Sequence, residues 1–278
     1  MHSYPHRLHT WGLLGAFFAF VFAIWMLFFP DAVAPYFAWD VHPRLAQAFI
    51  AAGYIFRTGF FLSVWREQAW HRVRWIFWGN LVFTAALLLA TFWHAEEFKW
   101  AFPLSTGHLW LFLYVGEPLA MIFMKPRGEA DTYAAPRTGG PIQGGLKLML
   151  ALETGFLGAV GSLLVINPAF ANRRWPWELN PLDARIMAAW FLGWSVWAAT
   201  MYFAQDWDEI RIPAQLNLLF GLALLVVGVI FFPLLNTRRS LYFLVTILFT
   251  LAMAVFYWRQ ERARPTVLDR TGAPRPVI

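Results

Sequence analysis

Apolar residues along this chain fall in long, nearly unbroken runs, with polar residues gathered between them. Eight runs stand at about 11–29, 45–65, 74–93, 107–124, 146–166, 184–204, 211–232 and 240–257. A stretch of roughly 18 or more apolar residues spans the ~30 Å hydrocarbon core of a bilayer as a helix. In lipid a backbone has to satisfy its own N–H and C=O groups, so each run reads as helix. Barrel strands would instead alternate over about ten residues. The first run, followed by Ala32-Val33-Ala34, has the outline of a signal peptide. It is longer than an ordinary signal core, Pro35 follows the would-be cleavage site, and the fifth run is its counterpart, so it is read as a helix.

The polar punctuation repeats. Pro30, Trp39, Asp40, Pro43 and Ala46 meet Pro168, Trp177, Glu178, Pro181 and Ala184 at a single offset of 138. Run three aligns with run seven at 137, through Arg74, Asn80, Leu81 and Phe83 with Arg211, Asn217, Leu218 and Phe220. Run four aligns with run eight at 132, through Leu119-Ala120-Met121 and Leu251-Ala252-Met253. The expected fold class is therefore all-α, a polytopic integral membrane protein with eight transmembrane helices in two parallel four-helix repeats. Four helices return the chain to its starting side, so the repeats are related by a pseudo-two-fold axis along the membrane normal, as in some transporters. The boundaries are 1–127 for the first repeat, 128–145 for a flexible Pro/Gly-rich linker, 146–259 for the second repeat and 260–278 for a basic tail.

Composition agrees: 59% of the 278 residues are hydrophobic and 14% charged, where a soluble domain carries about a quarter charged. Seventeen Trp suit a chain with two membrane–water interfaces. With no Cys, disulfides, thiolate metal sites and Cys nucleophiles are excluded. Fourteen Lys and Arg fall on the side of the termini against seven on the other, which predicts both termini in the cytoplasm of a bacterial-type plasma membrane. The expected partners are the lipid bilayer, anionic lipids at the cytoplasmic face, and partner membrane subunits or a homo-oligomer. Nucleic acid is not expected, since no basic stripe alternates with stacking aromatics outside the runs.

Candidate chemistry lies in the few polar residues inside the runs. Arg57, Glu117 and Glu153 are the ionisable groups well within them. Buried charges in lipid cost about 2.5–3.5 kcal/mol each on insertion scales and usually pair or line water. An Arg57–Glu117 or Arg57–Glu153 ion pair is expected. Their counterparts in the other repeat are Ser195, Phe249 and Gly15, so the charges break the symmetry. Asn80 shares a helix face with Thr84 and Thr91, and Asn217 with Gly221 and Gly228. Both stripes are expected to face the repeat axis. Gly155, Gly158 and Gly161 read as helix packing. The Trp–acid–x–His/Asn–Pro loops read as interface anchors and caps, with Asp40, His42, Glu178 or Asn180 capping the next helix. His42, His94 and His108, near Asp40, Glu96 and Glu97, are weak candidates for metal ligands, because their spacing is no ligand signature.

No phosphate loop, dinucleotide fingerprint or catalytic motif is present, and the sequence leaves the identity of any cofactor open. The leading expectation is a small-molecule carrier or permease-like protein, more readily a non-enzyme, with Arg57, Glu117, Glu153, Asn80 and Asn217 forming a polar binding site between the repeats. The alternatives are a structural or accessory subunit of a larger membrane complex, and a membrane-embedded enzyme or metal-binding protein using the outer-face His and Glu residues.

Overall fold

A computed structural model of the chain describes residues 6–67, 70–101, 105–124 and 139–264. Among them every named element is a helix. The long helices are α1 (His6–Phe28), α3 (Arg44–Arg66), α4 (Trp70–Trp93), α5 (Thr106–Met124), α6 (Gly144–Ile166), α8 (Pro181–Phe203), α9 (Trp207–Ile230) and α10 (Leu241–Arg262). Two short helices, α2 (Pro30–Tyr36) and α7 (Pro168–Asn172), follow α1 and α6. Among the described residues, seven helices (all the long ones except α5) are long and apolar enough to cross a membrane. Large side chains such as Phe17, Phe112, Phe123, Ile166 and Val229 are exposed on the outside of the bundle, as they should be where the solvent is lipid.

Packing runs across the two halves of the chain. Helix α1 lies along α3 and α6 along α8, but α4 packs chiefly on α8 and α9 on α3. The α4–α8 crossing is close because glycine stands on both sides. A Cβ on Gly193 would lie 2.8 Å from the Phe83 Cβ and 3.0 Å from the Gly79 carbonyl oxygen, and one on Gly79 would lie 2.3 Å from Cδ1 of the Trp197 ring. Glycines at such a crossing let two backbones approach directly.

At the loop end, the two halves use the same device twice. Arg44, at the start of α3, donates to the carbonyls of Met26 (2.5 Å) and Leu27 at the end of α1, and lies 5.3 Å over Phe231 at the end of α9. Arg185, near the start of α8, donates to the Val165 carbonyl at the end of α6 (3.3 Å) and lies 4.1 Å over Trp93 at the end of α4. Each cation thus meets the terminal carbonyls of its own half and an aromatic face from the other.

The Trp–acid loops depart from expectation in two respects. Trp39 and Trp177 are buried, so they pack the interior instead of anchoring at an interface. Trp39 Nε1 donates across the halves to Asp183 Oδ1 (2.8 Å). Asn180 caps α8 by accepting from the Asp183 N–H (2.6 Å). The cap position of α3 is held by Pro43 with no side-chain cap, and Asp40 pairs instead with Lys99 (2.6 Å).

The segment expected as a flexible linker is fixed where the structure describes it; residues 125–138 lie outside the described ones. Asp206, the N-cap of α9, accepts from the N–H groups of Gly139 (3.1 Å), Gly140 (3.1 Å) and Asp208 (2.9 Å). A Cβ on Gly139 would stand 2.4 Å from the Asp208 nitrogen, and Gly140 adopts φ 82°, so both positions require glycine. Gln260 closes the clamp, accepting from the Gln143 N–H and donating to the Pro141 carbonyl, each at 3.0 Å. The start of the expected tail is ordered too: α10 reaches Arg262, and Arg264 pairs with Asp208 at 2.6 Å. Residues 265–278 lie outside the described ones. Asp206→Ala should cost about 1–3 kcal/mol, since it strands backbone donors and removes a cap. Limited proteolysis should then cut near Gly139 faster than in the wild type.

Candidate functional site

Three helix faces converge inside the first half. On α3, Tyr54, Arg57 and Phe61 lie at i, i+3 and i+7; on α5, Trp110, Tyr114, Glu117 and Met121 repeat every three or four residues. On α4, Asn80, Thr84 and Thr91 complete the set, all buried. Arg57 donates to both Glu117 oxygens, and its other terminal nitrogen donates to Asn80 Oδ1 (2.5 Å). Asn80 Nδ2 donates onward to Glu117 Oε1 (2.7 Å). A guanidinium only donates, so this ring of bonds fixes which way the Asn80 amide points. Phe61 and Phe83 lie 4.8 and 4.9 Å from the guanidinium carbon, and aromatic faces of this kind help offset its lost hydration. The Tyr54 and Tyr114 hydroxyls meet at 3.2 Å beside the pair.

The expected Arg57–Glu117 pair is therefore present, and Glu153 takes no part in it. Glu153 lies in a second cluster, where its Oε1 accepts from Asn217 Nδ2 (2.8 Å) and Trp194 Nε1 (3.2 Å). The five candidate residues thus form two groups, one within each half, and not one group between the halves. The reason is the direction of the two small-polar stripes. Thr91 on α4 accepts from Trp110 on α5 (3.0 Å), while Gly221 on α9 receives the Thr250 side chain and Gly228 the Phe243 ring from α10. Each stripe faces the last helix of its own half, so the expectation that both face the axis is corrected.

Each cluster adjoins a cavity. In the first half, a cavity of about 290 Å³ lies between α1, α3 and α5. Its walls are largely aromatic and aliphatic, including Trp11, Phe18, Phe22 and Phe112, and its polar lining is Arg57, Glu117 and the two tyrosines. In the second half, a cavity of about 40 Å³ lies between α6, α8, α9 and α10 beside Glu153.

No family model, curated protein or solved structure matches this chain. The functional reading therefore rests on geometry.

The histidine candidates do not assemble. His42 is exposed, and His108 Nδ1 lies 2.9 Å from the Ser105 hydroxyl. His94, Glu96 and Glu97 form the one group of three possible ligands among the described residues, with ligand atoms within 4.8 Å. Both His94 nitrogens are engaged, however. Nε2 faces the Arg185 guanidinium at 2.6 Å and has to accept, which leaves Nδ1–H to donate to Glu97 at 2.7 Å. His94 is thereby part of the contact between the halves.

Sequence reading missed Asp183, whose position three after Asn180 marks it only as an acid in a first helical turn. Nothing local names Trp39, 144 residues away, as its partner. The Tyr54–Tyr114 pair was also missed, though both tyrosines fall on the faces that carry Arg57 and Glu117.

Proposed function

We propose that the protein is a membrane-embedded binding protein or carrier for a small, largely apolar molecule with a neutral hydrogen-bonding end. In this reading α5 is an eighth crossing, the halves are parallel repeats, and both termini are cytoplasmic. The matched arginine devices at the loop end and the reciprocal α4–α8 and α9–α3 packing support the duplication. The site lies within the first half, in the cavity between α1, α3 and α5.

The observation that carries the reading is the makeup of that cavity. Ligand pockets are mostly apolar, with a few convergent polar groups, and 290 Å³ lined by aromatics around one polar cluster has this character. Arg57 and Glu117 neutralise one another, so the site favours an uncharged ligand. The tyrosine hydroxyls and the edge of the ion pair are left to bind a carbonyl or hydroxyl. Pro118 adds an acceptor, because it removes the i+4 donor from the Tyr114 carbonyl.

Gly116 offers the test. It lines the cavity, and a Cβ there would meet nothing within 4 Å. Gly116→Leu should fill the site without steric conflict and leave stability within about 1 kcal/mol of wild type. Native mass spectrometry of protein released gently from its own membrane should show a reproducible small neutral mass on the wild type. Gly116→Leu should lose at least about tenfold in its occupancy, the effect of roughly 1.4 kcal/mol. The same bound mass at the same occupancy in both proteins would reject this site.

A further inference from the structure

The second carboxylate stands in a different electrical setting from the first. Glu153 is 3% exposed, and its Oε1 accepts both available hydrogen bonds. Its Oε2 is buried with no hydrogen-bond partner among the described residues. The side chain lines the cavity of about 40 Å³, and a water needs roughly 10–15 Å³ of such space, so the cavity has room for water beside the carboxyl.

Among the described residues no countercharge faces it. From α3 the cavity is lined by Phe49, from α8 by Trp190 and Trp194, from α9 by Asn217, and from α10 by Thr246 and Thr250. None of these is ionisable in the working range. On its own helix the nearest charge is Lys147, six residues and so about 9 Å along the axis. Ser195, which the sequence register equates with Arg57, turns away and donates to the Thr154 carbonyl (2.8 Å). An isolated carboxylate in such a place costs far more than an isolated acid, so the group takes up a proton.

We propose that Glu153 is a proton-binding site in the second half, held as the neutral acid and reached by water in the cavity beside it. The bonding pattern fits the acid form. Oε1, accepting twice, is the carbonyl oxygen, and Oε2 carries the hydroxyl that donates to cavity water. Proton exchange is the only chemistry: H⁺ adds to Oε2 from water and leaves by the same atom. This does not depend on the first cavity holding a ligand.

Dicyclohexylcarbodiimide, an apolar reagent that adds to carboxylic acids and not to carboxylates, reads this state. Full-length protein in detergent, labelled across a pH series and mapped by peptide mass spectrometry, should carry the adduct at Glu153. Labelling should fall as pH rises and be unaffected by added sodium. Glu117, held by Arg57, should stay unlabelled. As a second readout, the carboxylic-acid C=O stretch in the infrared spectrum should vanish in Glu153→Gln, and its loss supports the proposal whether or not the reagent enters. An absent adduct combined with an unchanged acid band overturns the proposal. So does protection of Glu153 by sodium, which would make the cavity a metal-cation site.

Discussion

Replacing Glu117 with leucine should destabilise the protein by about 3–5 kcal/mol, the loss expected when one partner of a buried pair is removed. The cost comes from what remains. Arg57 keeps its charge, sits 3% exposed between phenylalanines, and retains only the Asn80 oxygen as an acceptor. The double variant Arg57→Met/Glu117→Leu should be milder than Glu117→Leu alone, because it removes the stranded charge together with its partner. Reversible unfolding in mixed micelles would give both values. A double variant less stable than the single would show that the pair contributes net stability beyond mutual compensation, contrary to this account.

A Val at Gly193 should be comparably damaging, by about 3 kcal/mol or more, because its branch would push against the α4 backbone as well as a side chain. Overpacking that drives two backbones apart has no cheap relaxation, and here it separates the helices joining the two halves. Gly155→Ala is the internal comparison. A Cβ there meets nothing within 4 Å, and the change removes a helical glycine, so stability should rise or hold. Thermal unfolding in detergent distinguishes the two, and equal effects would remove the crossing from its proposed role.

The contrast between these two glycines shows where sequence reading ended. Gly155, Gly158 and Gly161 lie at helical spacing and read as a packing face, yet Gly155 packs on nothing. Gly193, alone among large residues, faces the α4 backbone at close range. The pattern along one helix says which residues are small. It does not say which helix lies opposite, and that choice decides what smallness does. The Arg57–Glu117 pair was legible for the complementary reason: charge in lipid demands compensation whatever the packing order, and few partners existed. Glu153 was legible as a buried group but not as an unpaired one. The arginine devices escaped notice because Arg44 and Arg185 sit three residues apart in the repeat register. One turn of helix restores their common direction without restoring their alignment.

The interlocked middle of the bundle bears on how the protein is made. Helix α4 finds its main surface on α8, and α9 finds one of its own on α3. When translation has released only the first 127 residues, α3 already has α1 beside it, but α4 stands in the bilayer with its principal partner unsynthesised and the α9-facing side of α3 is uncovered. Assembly therefore waits for the second half, and a chain truncated after the first should be a substrate for membrane quality control, not a smaller working protein.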